Sequence, residues 1–138
     1  MSPEPHLVKW GVYHVWCPQA RPPKNKWVVA VALSENGQNV FVLPINSKIF
    51  ELHVGTPTEA AYARINGEHY SFLYKQEFFV CATELWAIGI SHFTLKAFTG
   101  TRLRPTDRLE VLRAKDASPT MRPAHQALIT GTDDWFAD

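Results

Sequence analysis

The sequence predicts a mainly β fold, an antiparallel sheet or small barrel with one or two short helices, and three observations carry this prediction. Residues 7–16 alternate with a period of two and are rich in β-branched and aromatic side chains, which is typical of a strand. Residues 26–33 form a nearly continuous run of apolar residues, which is typical of a strand buried on both faces. The predicted strands follow each other too closely for the crossover helices that parallel strands need.

The remaining strands are predicted from their turn signals. Asn36-Gly37 suits a tight hairpin, because both residues tolerate positive φ, and it separates the second strand from a third at residues 39–43. We expect this third strand to stop at Pro44, which has no backbone N–H to donate. Further strands are predicted at residues 70–74 and 77–83, and residues 87–91 fit either another strand or a turn into a helix.

One helix start is distinct in the sequence. Thr56-Pro57-Thr58-Glu59 combines a capping threonine, a proline at the first helical position and a glutamate three residues after the cap. It predicts a short helix over residues 60–65 that ends at Asn66-Gly67. Residues 92–98 fit either a strand or a helical face, and residues 106–115 fit either a capped helix or a strand.

Length and composition predict one globular domain over residues 1–138, with its core at about residues 7–98 and a proline-punctuated C-terminal extension at 99–138. Cys17 and Cys81 form no CxxC or Cys/His cluster, which argues against a zinc site or any other metal. The start of the chain lacks the pattern of a signal peptide, so we expect reduced thiols and a cytoplasmic location. The longest apolar run, residues 27–33, is too short to span a bilayer, and no membrane partner is expected.

Charge is distributed unevenly along a chain whose net charge is only +1. Residues 1–50 carry five basic and two acidic side chains, whereas residues 51–98 carry three basic and five acidic ones. A second basic stretch covers residues 96–115. If the fold joins the two stretches, one groove is lined by Arg21, Lys24, Lys26, Arg102 and Arg104, with stacking faces from Trp16, Trp27 or Tyr13. Scattered, solvated charges are the alternative.

Standard nucleotide-binding, hydrolase and zinc-protease motifs are missing from the sequence, but the order of its segments is informative. Gly11 opens a strand, a proline-rich basic loop follows, Lys26-Trp27-Val28-Val29 enters the next strand, and a hairpin leads to residues 40–47. This order, with residues 70–76 and 85–91, resembles the MazF/PemK/Kid family of toxin endoribonucleases over about residues 9–98.

The resemblance implies an SH3-like, toxin-type barrel, a homodimer, an antitoxin protein as partner, and cleavage of single-stranded RNA without a metal or cofactor. The family's catalytic arginine falls by position on Lys26, and its catalytic hydroxyl falls on Asn46 or, one place later, on Ser47. Trp27 stands where the family has proline. Lysine keeps the positive charge of arginine but lacks its planar fork, and asparagine supplies no hydroxyl.

RNA cleavage without metal needs a base for the 2′-hydroxyl, a proton donor for the 5′-oxygen, and positive charge near the phosphate. Lys26, with Arg21 or Lys24, is the predicted source of that charge. His14 is the predicted proton-transfer group, because its ordinary pKa lies near neutrality; packing against Trp10 or Trp16 is its structural alternative. Ser47 is predicted to orient or donate, and Gln76 to hydrogen-bond a base edge.

Two further hypotheses remain. The first is a non-catalytic barrel of phage or mobile-element origin that binds nucleic acid or a protein partner. Such a barrel would show the same sequence pattern as the endoribonuclease. A structural or inhibitor protein would instead use exposed aromatic residues, such as Trp16 or the acidic, aromatic C-terminal segment with Trp135 and Phe136, as a protein interface.

Overall fold

A computed structural model describes residues 4–73 and 76–132 of the chain. In this described part, seven strands and two α-helices are connected by short turns and four 3₁₀ segments. The strands are β1 (Gly11–Cys17), β2 (Lys24–Leu33), β3 (Asn39–Asn46), β4 (Tyr62–Asn66), β5 (Glu77–Cys81), β6 (Trp86–Gly89) and β7 (Phe98–Arg102), and the helices are α1 (Pro105–Ala117) and α2 (Pro123–Leu128).

The strands form one antiparallel sheet in the order β4-β5-β3-β2-β1-β7, with β6 paired to β3. The mainly β, antiparallel prediction is confirmed, but the prediction of a barrel is wrong. Among the described residues β4 and β7 are the outer strands, and no pairing joins them. The reason lies in β3, whose first half pairs with β6 and whose last two residues pair with β5, so the sheet branches there instead of closing.

The β2–β3 hairpin follows the sequence pattern. Residues 28–32 of β2 are buried, as its continuous apolar run predicts, because both faces of the strand are covered. The turn contains Gly37 at φ +70°, the left-handed conformation for which glycine has no Cβ penalty. β3 does not end at Pro44 but continues to Asn46. Pro44 lies between the parts of β3 that pair with β6 and with β5, and proline is tolerated at such an interruption.

β1 begins at Gly11, four residues later than predicted. Trp10 is fully buried and has φ +65°, and the Gly11 N–H donates to the Val8 carbonyl at 2.9 Å, so the chain turns here before the strand starts. A Cβ on Gly11 would lie 2.7 Å from that carbonyl oxygen, which explains the glycine.

The predicted helix at residues 60–65 is wrong for most of its length. Pro57–Ala61 is a 3₁₀ segment, and residues 62–66 form β4, which pairs with β5 from Tyr62 opposite Cys81 to Asn66 opposite Glu77. A helix of six residues has little stability of its own, and the ladder with β5 replaces it. The Thr56 hydroxyl donates to the His53 carbonyl at 2.6 Å and does not cap a helix.

The predicted strand at residues 70–74 does not form over residues 70–73, and residue 74 lies outside the described part. Tyr70 is instead held by tertiary contacts. Its hydroxyl donates a short hydrogen bond to Asp107 and accepts from the Arg104 N–H at 2.9 Å. Burial and the Asp107 carboxylate raise the pKa of this phenol. Tyr70 thereby joins the chain before β5 to the start of α1.

The chain after residue 91 contributes to the same core. Residues 92–98 contain no α-helix; a turn leads into β7, which pairs with β1. Residues 105–117 form α1, and its Val111 and Ala114 are buried in the core between the helix and the sheet. Residues 133–138, with the predicted acidic and aromatic segment, lie outside the described part. Neither described helix is long and apolar enough to cross a bilayer.

Arg113 of α1 lies along the outer strand β4. Its guanidinium group donates to the carbonyls of Ala60 and Tyr62 at 3.1 and 3.2 Å and pairs with Glu110. These bonds fix α1 against the outer edge of the sheet.

Candidate functional site: a lysine-rich cleft

A cleft of about 520 Å³ opens where β2 begins and β3 ends. The antiparallel pairing of these strands brings the basic start of β2 beside the polar end of β3. The chain after β3 and the segment before β5 complete the walls, and the lining residues are Lys24, Asn25, Lys26, Trp27, Ile45, Asn46, Ser47, Lys48, Phe50 and Leu73.

Lys26 forms a hydrogen bond between two side chains that line the cleft. Its ammonium group donates to Asn46 Oδ1 at 2.5 Å, across the β2–β3 pair. Burial lowers the pKa of Lys26, the positive charge of Lys24 lowers it further, and the nearby thiols of Cys17 and Cys81 act in the opposite direction. Lys26 is therefore a half-buried amine that releases its proton more readily than an ordinary lysine.

The rest of the cleft adds positive charge and hydrogen-bonding groups. Lys24, Ser47 and Lys48 are exposed at its rim. Its described lining contains three lysines and no carboxylate or imidazole. A phosphate group that enters the cleft therefore meets positively charged hydrogen-bond donors. The amides of Asn25 and Asn46 offer both donors and acceptors.

Trp27 supplies an aromatic wall. The His14 ring packs on it with 4.6 Å between centroids, because His14 and Trp27 are cross-strand partners, and Phe72 lies at 6.4 Å. Neither Trp10 nor Trp16 is the ring against which His14 packs, contrary to the structural alternative. Tyr13 is fully buried against Phe93 and Phe98, so it cannot offer a stacking face.

The structure does not bring all the predicted residues to this cleft. Arg21 is exposed in the β1–β2 loop and does not line it. Arg102 pairs with Gly11, whereas Lys24 pairs with Cys17 at the other end of β1, about 20 Å along the strand. The Arg102 side chain donates to the Lys9 carbonyl, and Arg104 begins α1 beside Tyr70. The two basic stretches therefore do not form one groove.

Gln76 lies in a separate, polar surface hollow with Arg64 and Glu77, which form an ion pair at 3.5 Å. Its backbone carbonyl accepts a hydrogen bond from Gly67. No described cleft residue is shared with this hollow.

Five lining residues were not predicted as site residues: Asn25, Ile45, Lys48, Phe50 and Leu73. Lys48 directly follows Ser47, and Asn25 stands between two lysines, so attention to neighbours of the predicted residues would have found both. Phe50 carries no sequence signal, because its place depends on how the chain leaves β3.

A second group of titratable side chains lies beside the cleft. The Tyr62 hydroxyl is 2.7 Å from His53 Nδ1, and burial, with the Cys81 thiol, raises the pKa of Tyr62 to about 12. Cys17 and Cys81 are both buried and free. In the described ranges, no three His, Cys, Asp or Glu side chains are grouped as metal ligands.

Together, the fold and the site describe a small antiparallel β protein with a cationic cleft walled by aromatic rings. No family model matches the chain, and no curated protein matches its sequence. Among solved structures the chain is similar to the Mycobacterium tuberculosis toxin MazF-mt6, with 16% sequence identity and a TM-score of 0.47 over 78% of this chain and 94% of that one. A likeness of this size assigns neither a family nor an activity to the chain.

Proposed function

We propose that the cleft binds single-stranded RNA and that the protein is a toxin-type endoribonuclease that cleaves it without a metal or cofactor. The partners that this proposal implies are the RNA, an antitoxin protein and a second copy of the chain. The observation that carries it is that Lys24, Lys26 and Lys48 line one cleft together with the aromatic side chains of Trp27 and Phe50. Lysines bind the phosphates of an unpaired strand, and aromatic rings stack its bases.

In the proposed reaction the 2′-oxygen of a nucleotide attacks the adjacent phosphorus, and the bond from phosphorus to the 5′-oxygen breaks. The products are a 2′,3′-cyclic phosphate and a 5′-hydroxyl. Lys26 stabilises the charge on the phosphorane and gives a proton to the leaving 5′-oxygen, a role that its lowered pKa supports. Asn46 positions the Lys26 amine, and the Ser47 hydroxyl donates to a phosphate oxygen.

The proton of the 2′-hydroxyl needs an acceptor, and His14 is our candidate. It is exposed, and it lies against Trp27, one of the lining residues. His14 does not line the cleft itself, so it can accept this proton only if the RNA passes over Trp27.

Binding without cleavage is the second candidate function. It is favoured by the absence of a carboxylate or imidazole from the described lining of the cleft, and by the hydrogen bond that already engages Lys26. Such a protein would hold RNA through the same lysines and rings.

Incubation of the full chain with single-stranded RNA in the presence of a chelator tests the proposal. Fragments that end in 2′,3′-cyclic phosphate are expected from the wild type, with a loss of about a hundredfold or more in the rate for Lys26→Ala. Arg122→Ala is the matched control, because it removes one exposed cation whose side chain contacts His125 of α2, away from the cleft. Uncut RNA that is nevertheless bound would support the second function, and no binding would refute both.

A further inference from the structure

Trp16 is an exposed tryptophan on the strand next to the cleft. It is 46% exposed, although a buried tryptophan is among the largest single contributors to a core. Within the described ranges its ring forms no aromatic pair with a neighbour. Nearly half of the Trp16 surface is therefore open to a partner.

The pairing of β1 with β2 places Trp16 on the same face as the aromatic wall of the cleft. Trp16 is directly opposite Asn25, and His14 is directly opposite Trp27. Cross-strand partners share a face, and so do residues two apart in one strand. Trp16, His14, Asn25 and Trp27 consequently form one surface, here called the aromatic strip.

The aromatic strip is continuous with the cleft, because Asn25 and Trp27 belong to both. It extends about 7 Å along β1 from His14 to Trp16. Positive charge lies near the Trp16 end of the strip: Arg21 is exposed in the loop that joins β1 to β2, and Lys24, which pairs with Cys17 and so lies on the opposite face from Trp16, lines the cleft.

We infer that the aromatic strip is a stacking platform that extends the RNA site, with the Trp16 ring stacking an unpaired base beyond the cleft. The inference rests on the proposed function for its ligand, and it adds a contact outside the cleft. Because every base has a π face, the platform lengthens the bound segment without selecting its sequence. The occupant is RNA and not protein because the strip leads into a cleft with three lysines, which complement a phosphate backbone.

The test compares the affinity of the full chain for two oligoribonucleotides, about four and about ten nucleotides long, whose 2′-O-methyl groups prevent cleavage. We expect wild type to bind the longer one more tightly. Trp16→Ala is expected to weaken binding of the longer one by about fivefold or more and to leave the shorter one unchanged, whereas Trp16→Phe retains most of the length dependence. Leu109→Ala is the control, since Leu109 is 67% exposed on α1. Circular dichroism confirms that each variant is folded.

Several outcomes overturn the inference, and they separate it from the proposed function. Equal length dependence in wild type and Trp16→Ala refutes the platform, and a loss of short-oligonucleotide binding in Lys26→Ala then still supports the cleft. If Trp16→Ala abolishes self-association in solution but leaves RNA binding intact, the strip is a protein interface. If wild type binds neither oligonucleotide, both proposals fail.

Discussion

The Lys26 ammonium group and the Asn46 side-chain carbonyl are joined by a hydrogen bond of 2.5 Å that links the start of β2 to the end of β3. An asparagine at this position gives Lys26 an acceptor without giving it a counter-ion. The charge of the amine is therefore oriented but not neutralised, and it remains available to a phosphate group.

The lowered pKa of Lys26 predicts how RNA affinity depends on pH. Only the protonated amine attracts phosphate, so affinity should fall as pH rises, beginning at a lower pH than the ordinary pKa of lysine allows. Lys26→Arg should move the onset of this fall to higher pH, because the guanidinium group stays charged. Affinity for an oligonucleotide that resists cleavage, measured across alkaline pH, checks this. An identical decline in wild type and Lys26→Arg would show that another group titrates.

Salt dependence should report the number of lysines that contact phosphate. Three contacts to an unpaired strand predict a slope of about −2 for the logarithm of the binding constant against the logarithm of salt concentration. Lys48→Ala should make this slope shallower by about 0.7, since one contact is lost. Fluorescence anisotropy at several salt concentrations measures it, with Arg122→Ala as a variant that should not differ from wild type. An unchanged slope in Lys48→Ala would remove Lys48 from the binding surface.

Tyr70→Phe should destabilise the fold. The buried Tyr70 hydroxyl donates to the Asp107 carboxylate and accepts from the Arg104 N–H, and its removal leaves both groups without this partner. We expect a loss of about 2 kcal/mol in the free energy of unfolding in urea. The exposed Leu109→Ala substitution should change it by less than about 0.5 kcal/mol. A Tyr70→Phe variant as stable as wild type would mean that water replaces both bonds.

The raised pKa of Tyr62 predicts a loss of stability in alkali. The unfolded chain releases this phenolic proton near pH 10, whereas the folded chain holds it to about pH 12. Between these values ionisation favours the unfolded chain, so the free energy of unfolding should fall as pH rises from 10 towards 12. Tyr62→Phe should make this fall less steep. Chemical denaturation at fixed pH values from 9 to about 11.5 provides the comparison; equal steepness would show that Tyr62 ionises normally.

The strands that depend on local pattern were predictable from the sequence. The apolar run of β2 and the Asn36-Gly37 turn carry their own signals, and both were found where expected. Residues 62–65 were assigned to a helix because a strong helix start precedes them. Their true state depends on β5, a partner about 15 residues away, and no local pattern records that pairing.

The candidate site was predictable to a similar extent. Lys26, Asn46 and Ser47 were predicted from the order of segments that resembles the toxin family, and Lys24 from the basic loop before the second strand; the structure places all four at the cleft. Arg102 and Arg104 were wrongly predicted to line the same groove, because the distribution of charge along the chain does not show which end of a strand a residue occupies. Phe50 was missed for the complementary reason, because a loop sets its position.

The position of Arg113 has a consequence for how the protein behaves at high concentration. An outer strand with free carbonyls is a template on which a second molecule can add a strand and begin an aggregate. By binding the carbonyls of Ala60 and Tyr62, Arg113 occupies acceptors that an incoming strand would use, and it adds a charge and a helix at that border. A single side chain thus gives this open sheet part of the protection against self-templating that a closed barrel has by construction.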